Sequence, residues 1–132
     1  MICLRPTANP LKRAFINAAR EWRLAQCRLD VSEGSLLKSM KKSGDLAYVV
    51  KSDTKEHEKA VSEGNMQEQE TTKKSLEKYQ KELSDAVLEQ ERKRLNVLYH
   101  EDSVALREKA YIKAKNDYCA AMHQVSDADD SD

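Results

Sequence analysis

The stretch LEKYQKELSDAVLEQERKRLNVLYHEDSVALREKAYIKAKNDYCAAMHQV, Leu76 to Val125, decides the fold. Taken by sevens it reads Leu76, Leu83, Gln90, Val97, Val104, Tyr111, Tyr118, Val125. The positions three later read Tyr79, Ala86, Lys93, His100, Arg107, Ala114, Ala121. A heptad apolar row with one polar break is the stripe of a long helix lying on other helices. The companion row is apolar at both ends and polar at Lys93, His100 and Arg107. The helix is therefore expected to pack firmly at its ends and less firmly, or against something polar, in its middle.

Upstream, Asn9-Pro10 reads as a helix start, with Asn9 as N-cap and Pro10 where a missing N–H is harmless. An apolar stripe follows through Leu11, Phe15, Ala18, Trp22, Ala25 and Leu29, in steps of four and three. It continues through Leu36 and Met40, weakens at Ser39 and Ser43, and resumes at Leu46/Ala47 and Val50. Gly34 and Gly44 are the weak points, since a helical Gly costs about 1 kcal/mol relative to Ala. Either site reads as a kink or a true turn, and a kink near Gly34 with a break near Gly44 is the favoured alternative. Lys51 to Gln69 is almost wholly polar, and Ser62-Glu63-Gly64-Asn65 carries the strongest turn signal.

These readings give an all-α, elongated antiparallel helical hairpin or coiled coil. Residues 1–8 form a frayed end, arm one covers about 9–61, the turn 62–65 and arm two about 66–124. An acidic disordered tail of 125–132 completes it, where Asp127, Asp129, Asp130 and Asp132 cluster. A two-helix hairpin buries one stripe per helix and has no closed core. A homodimer forming a four-helix bundle would cover the rest. The packing and dimer stripe is Phe15, Trp22, Leu29 and Leu36 with Leu76, Leu83, Val97, Val104, Tyr111 and Tyr118.

Composition narrows the function. Charged residues make up 35% of the 132 and aromatics 5%, which suits exposed helices. Net charge is zero, yet residues 1–60 hold 12 Lys/Arg against 7 Asp/Glu, and residues 61–132 hold 11 against 16. A basic first half suits an anionic partner surface. Three cysteines without metal-like spacing fit a reduced, cytoplasmic protein. The first 28 residues carry six Lys/Arg and one acid, a bias shared with mitochondrial transit peptides. Ser is absent there and the stripe runs past any cleavage point, which argues against a leader. No apolar run approaches membrane-spanning length.

No catalytic constellation is present. His100-Glu101-Asp102 lacks the second His of a zincin motif, and Cys119/His123 make at most half a metal site. No enzyme activity, cofactor, metal or small-molecule substrate is expected. Lys41-Lys42, Lys73-Lys74 and Arg92-Lys93-Arg94 are the dense cationic blocks, and the last looks locally uncompensated. Nucleic acid is not expected, because no aromatics interleave with them.

Glu108-Lys109-Ala110-Tyr111-Ile112-Lys113-Ala114-Lys115-Asn116-Asp117-Tyr118-Cys119-Ala120-Ala121 resembles a stretch of F-BAR domains, the Rho GTPase-activating branches being nearest. Trp22, Gln26, Arg28, Leu36-Leu37-Lys38, Tyr48-Val49-Val50-Lys51-Ser52 and Glu58-Lys59-Ala60 are similar in order to the preceding helix of such domains. The resemblance implies an antiparallel dimer that binds anionic, phosphoinositide-rich membranes and works beside actin-regulatory proteins. It implies a peripheral-membrane or cytoskeletal location in the cytoplasm. An F-BAR module is longer than this chain, so the resemblance covers its central helices only. Lipid-binding candidates rest on charge: Lys38, Lys41, Lys42, Arg92, Lys93 and Arg94. The alternative is a coiled-coil scaffold or assembly adaptor without lipid affinity. Convergence of the basic blocks on one face would favour membranes.

Overall fold

A computed structural model describes the backbone of residues 5–130 and the side chains of residues 9–123. Two helices account for it, α1 (Arg5–Glu63) and α2 (Met66–Asp130), packed as an antiparallel hairpin. Among the described residues there is no strand.

The reversal follows from Gly64 and Asn65. Gly64 sits at φ 68°, the left-handed region that a Cβ penalises. Its N–H donates to the Val61 carbonyl at 3.2 Å, and the Asn65 N–H donates to the Ala60 carbonyl at 3.1 Å. This pair of bonds closes the last carbonyls of α1 as a Schellman motif. Asn65 then caps α2: its Oδ1 accepts the Glu68 N–H at 3.1 Å, and its amide donates to Glu68 Oε2 at 3.1 Å. Glu68 also places a carboxylate at the positive end of the α2 dipole.

Both arms run further than the sequence suggests. The expected cap at Asn9 gives way to a helix beginning at Arg5, with Pro10 inside it. Proline's φ is already helical, so Pro10 removes one N–H donor without stopping the chain. Arg5 to Ala8, expected to fray, are helical in backbone; residues 1–4 lie outside the described residues. Neither Gly34 nor Gly44 breaks α1, because the seam is packed on either side of each. The turn narrows from 62–65 to Gly64-Asn65. At the other end α2 continues to Asp130, through residues expected to be a disordered tail, and residues 131–132 lie outside the described range. No Gly or Pro follows Gly64, so no backbone breaker stops α2 there.

The expected stripe is the hairpin's own seam. Phe15, Trp22, Leu29, Leu36, Leu76, Leu83, Val104, Tyr111 and Tyr118 are half-buried, and Val97 is buried. One step is corrected. Met40 is 47% exposed, whereas Ser39 is 7% exposed, so the stripe passes through the serine. With Ser32 and Ser43 included, α1 keeps an unbroken heptad of inward positions; small hydroxyls sit where apolar side chains are absent.

The hairpin divides into two compact units. The terminal unit comprises Met1–Val31 with Leu98–Asp132. Its seam is aromatic: Phe15 lies 5.4 Å from Tyr111 and 5.8 Å from Tyr118, and Trp22 lies 5.0 Å from Tyr111, between ring centroids. Such pairs contribute about 0.5–1.5 kcal/mol each beyond the area they bury. Trp22 Nε1 is buried without a hydrogen-bond partner.

The turn unit, Ser32–Val97, is built differently. Its buried residues are small: Ala60, Ala86, Val97, Ser32, Ser39 and Thr72. Hydrogen bonds cross its seam from Ser43 Oγ to Gln90 Oε1 (2.5 Å) and from Ser75 Oγ to Asp53 Oδ2 (2.7 Å). A third joins His57 Nδ1 and Thr72 Oγ1 at 2.8 Å. The Thr72 hydroxyl already lies 2.8 Å from the Glu68 carbonyl. If it donates there, the imidazole N–H is the donor in the His57 bond. Lys93 in this unit is half-buried; in the terminal unit His100 is half-buried and Arg107 exposed, so the companion row of α2 is polar through its middle as anticipated.

Candidate functional site

Two surfaces carry enough charge to recognise a partner, one in each unit. The first is a shallow groove of about 990 Å³ in the turn unit. Helix α1 contributes Lys38 and Lys42, which face Arg92 and Lys93 of α2. Four of the six lipid-binding candidates are thus brought together from stretches some fifty residues apart in sequence. Lys41 and Arg94 are exposed and do not line the groove.

The groove is nonetheless close to neutral. Glu82, Asp85 and Glu89 line it as well, three carboxylates against four cations. Arg92-Lys93-Arg94, expected to be uncompensated, is paired along its own helix. The Arg92 guanidinium bonds Glu89, and Lys93 Nζ lies 3.9 Å from the same carboxylate. Arg94 grips Glu91 with two donors, at 2.5 and 3.0 Å. Acids three and four residues ahead lie one turn back on the same face, so this pairing is built into the spacing. The Arg94 hydrogen bond holds the Glu91 carboxyl below its usual range, and Glu91 in turn raises Arg94.

The second surface lies on α1 in the terminal unit. Lys12, Arg13, Arg20 and Arg23 are all exposed. Among the described residues none of the four forms an ion pair. The seam side of this segment carries Phe15, Ala18, Trp22, Ala25 and Leu29. At 3.6 residues per turn the four cations fall within about 120° of helix surface, on the side away from that seam. Ile16 and Leu24 share the arc, 46% and 45% exposed. Glu21 and Asp30 are the only acids between residues 9 and 31. In sequence these cations read as part of a basic first half suited to an anionic partner, and as a bias shared with transit peptides. Their positions relative to the Phe15–Leu29 stripe are the signal that places them on one face.

Among the described residues no three His, Cys, Asp or Glu side chains gather as a metal site. Among the described residues no helix is long and apolar enough to cross a membrane. No family model, curated protein or solved structure matches the chain.

Proposed function

We propose that this chain is a non-enzymatic helical-hairpin module that holds to an anionic membrane surface through α1 of its terminal unit. The observation that carries the reading is the set of unpaired cations Lys12, Arg13, Arg20 and Arg23, with Ile16 and Leu24 exposed among them. Exposed cations beside exposed aliphatic side chains suit an interface that is anionic at the headgroups and apolar beneath. The groove of the turn unit is a weaker candidate, because its own carboxylates offset its cations. The resemblance to F-BAR domains supports the same reading, and it extends the proposal to a place beside actin-regulatory proteins under the membrane.

Each cation near an anionic bilayer contributes about 1 kcal/mol. Four give about 4 kcal/mol, a roughly millimolar affinity for one copy. Two copies held together would reach roughly micromolar. Binding of this kind weakens with salt, since exposed charges are screened within about 10 Å at 0.1 M.

The test is co-sedimentation with phosphatidylcholine vesicles and with vesicles containing phosphatidylserine and a phosphoinositide, at low and high salt. Pelleting with the anionic vesicles alone, lost in salt and lost in an Arg13→Glu/Arg20→Glu/Arg23→Glu variant, is expected. Retained pelleting in that variant, with loss in Lys38→Glu/Lys42→Glu, would move the contact to the groove. The second reading, a scaffold that binds proteins and no lipid, is favoured by the apolar side chains left exposed on both helices. Absence of pelleting with either vesicle at either salt would decide for it.

A further inference from the structure

The groove of the turn unit sorts its charges along the helix axis. The Ser43–Gln90 bond brings the two helices level at its middle. Lys38, five residues before Ser43, and Arg92 and Lys93, just past Gln90, lie toward the chain termini. Asp85 and Glu82, five and eight residues before Gln90, lie toward the turn. At 1.5 Å per residue Glu82 is about 20 Å along the axis from Lys38. Glu89 is taken up by Arg92 and Lys93. Among the described residues Lys38, Lys42, Glu82 and Asp85 form no ion pair. Lys78 and Lys81 stand four residues ahead of the two acids, the weaker order for such a pair, and neither lines the groove. Lys38 and Lys42 are four apart on α1, and Asp85 stands three from Glu82 and four from Glu89 on α2. Like charges repel at these spacings, which destabilises the isolated hairpin until an occupant of opposite sign relieves it.

We propose that this groove seats one amphipathic helix of another protein, making a three-helix bundle of the turn unit. The occupant carries acids at one end and bases about 20 Å away, with apolar side chains between. Its carboxylates answer Lys38 and Lys42, and its cations answer Glu82 and Asp85. Its apolar side rests on Leu88, which is 68% exposed, and on the floor of the groove. Ser39 and Ala86 form that floor, and their small side chains let a third helix come close. A free anion or an anionic lipid headgroup would meet the two lysines and be repelled by the two acids. A second copy turned about a two-fold axis would set groove on groove, concave against concave, and fill neither.

The helix contact in the turn unit is independent of the lipid contact, which rests on α1 of the terminal unit. Its test uses two synthetic peptides of one composition, each a helix of about 18 residues with a leucine stripe. One gathers glutamates at its N-terminal end and lysines at its C-terminal end; the other alternates them. Titrated into the isotope-labelled full chain, the sorted peptide should bind one to one and shift the NMR signals of residues 38–42 and 82–93. It should bind about tenfold more tightly than the alternating peptide. Lys38→Glu/Lys42→Glu should weaken the sorted peptide by about tenfold, with helicity unchanged by circular dichroism. Adding Glu82→Lys/Asp85→Lys to that variant should restore binding, because the groove is then sorted the other way and the peptide turns end for end. Equal binding of the two peptides, no binding, or shifts confined to other residues would overturn the proposal. Failure of the fourfold variant to restore binding would do so too. Self-association of the unaltered chain that Lys38→Glu/Lys42→Glu abolishes would also overturn it, with a second copy as the occupant.

Discussion

Ser43 and Gln90, each a polar interruption of its own helix's apolar stripe, meet across the seam with Ser43 Oγ 2.5 Å from Gln90 Oε1. Two features that weaken the separate helices thereby satisfy one another. A polar pair at inward positions favours the register in which it is paired, because a slip leaves the Gln90 amide facing the seam without its partner. Ser75–Asp53 and His57–Thr72 repeat the device toward the turn.

Replacing Gln90 by Leu should therefore raise stability, by about 1 kcal/mol, while removing a register constraint. The Ser43 hydroxyl keeps a partner in the Met40 carbonyl at 3.0 Å, so no orphan donor results. Thermal unfolding measures the gain; a lower melting temperature for Gln90→Leu would show that the Ser43 bond outweighs the restored apolar contact.

Trp22 separates ring packing from hydrogen bonding. Its Nε1 is buried and unpartnered, a condition that costs about 1–3 kcal/mol. Trp22→Phe keeps an aromatic against Tyr111 and deletes the orphan donor, so it should be close to neutral. Trp22→Ala should cost about 3 kcal/mol, near the lower end for deleting a buried aromatic, because the site is only half-buried. A loss of about 1 kcal/mol or more for Trp22→Phe, in chemical denaturation, would mean that the indole nitrogen is satisfied in solution.

The three glycines should respond with opposite signs. Gly64, at φ 68°, cannot take a Cβ without strain, and Gly64→Ala should cost about 1 kcal/mol. Gly34 and Gly44 are helical, and a Cβ at either meets nothing within 4 Å. Gly34→Ala and Gly44→Ala should each stabilise by up to about 1 kcal/mol. Destabilisation by either of these two would reveal a bend that α1 needs.

The Glu91–Arg94 pair makes a prediction about acid. The hydrogen bond from Arg94 lowers the folded Glu91 pKa below its unfolded value. Its contribution is thus present above the usual carboxylate range and is lost as pH falls through the folded pKa. Both groups are fully exposed, so the effect on overall stability is small. Arg94→Gln should move the Glu91 titration back up to the ordinary range, which carboxyl-resolved NMR would follow. An unmoved titration would mean that the pair does not persist in water.

The sequence by itself determined the helices, the reversal and the seam. Heptad spacing from Leu11 to Leu36 and from Leu76 to Tyr118 depends only on which residues share a helix face. The turn at Gly64-Asn65 depends on local backbone freedom. Both are short-range properties that a linear reading captures. Helix ends were less legible: Pro10, Gly34 and the acidic residues after Val125 all carry local stop signals, and the helices run through each of them. Only the tertiary structure decided how the charges and polar gaps are spent. Lys38 and Lys42 of α1 meet Arg92 and Lys93 of α2 in one groove only because the hairpin closes. The cations from Lys12 to Arg23 read as a basic bias of the first half, and that they stay unpaired on the folded surface is visible only in the structure. Ser43 and Gln90 looked like defects until the fold put them in contact. Pairing of that kind depends on rotamers and on which residues of the other helix lie opposite. Neither is fixed until the hairpin has closed and set its register.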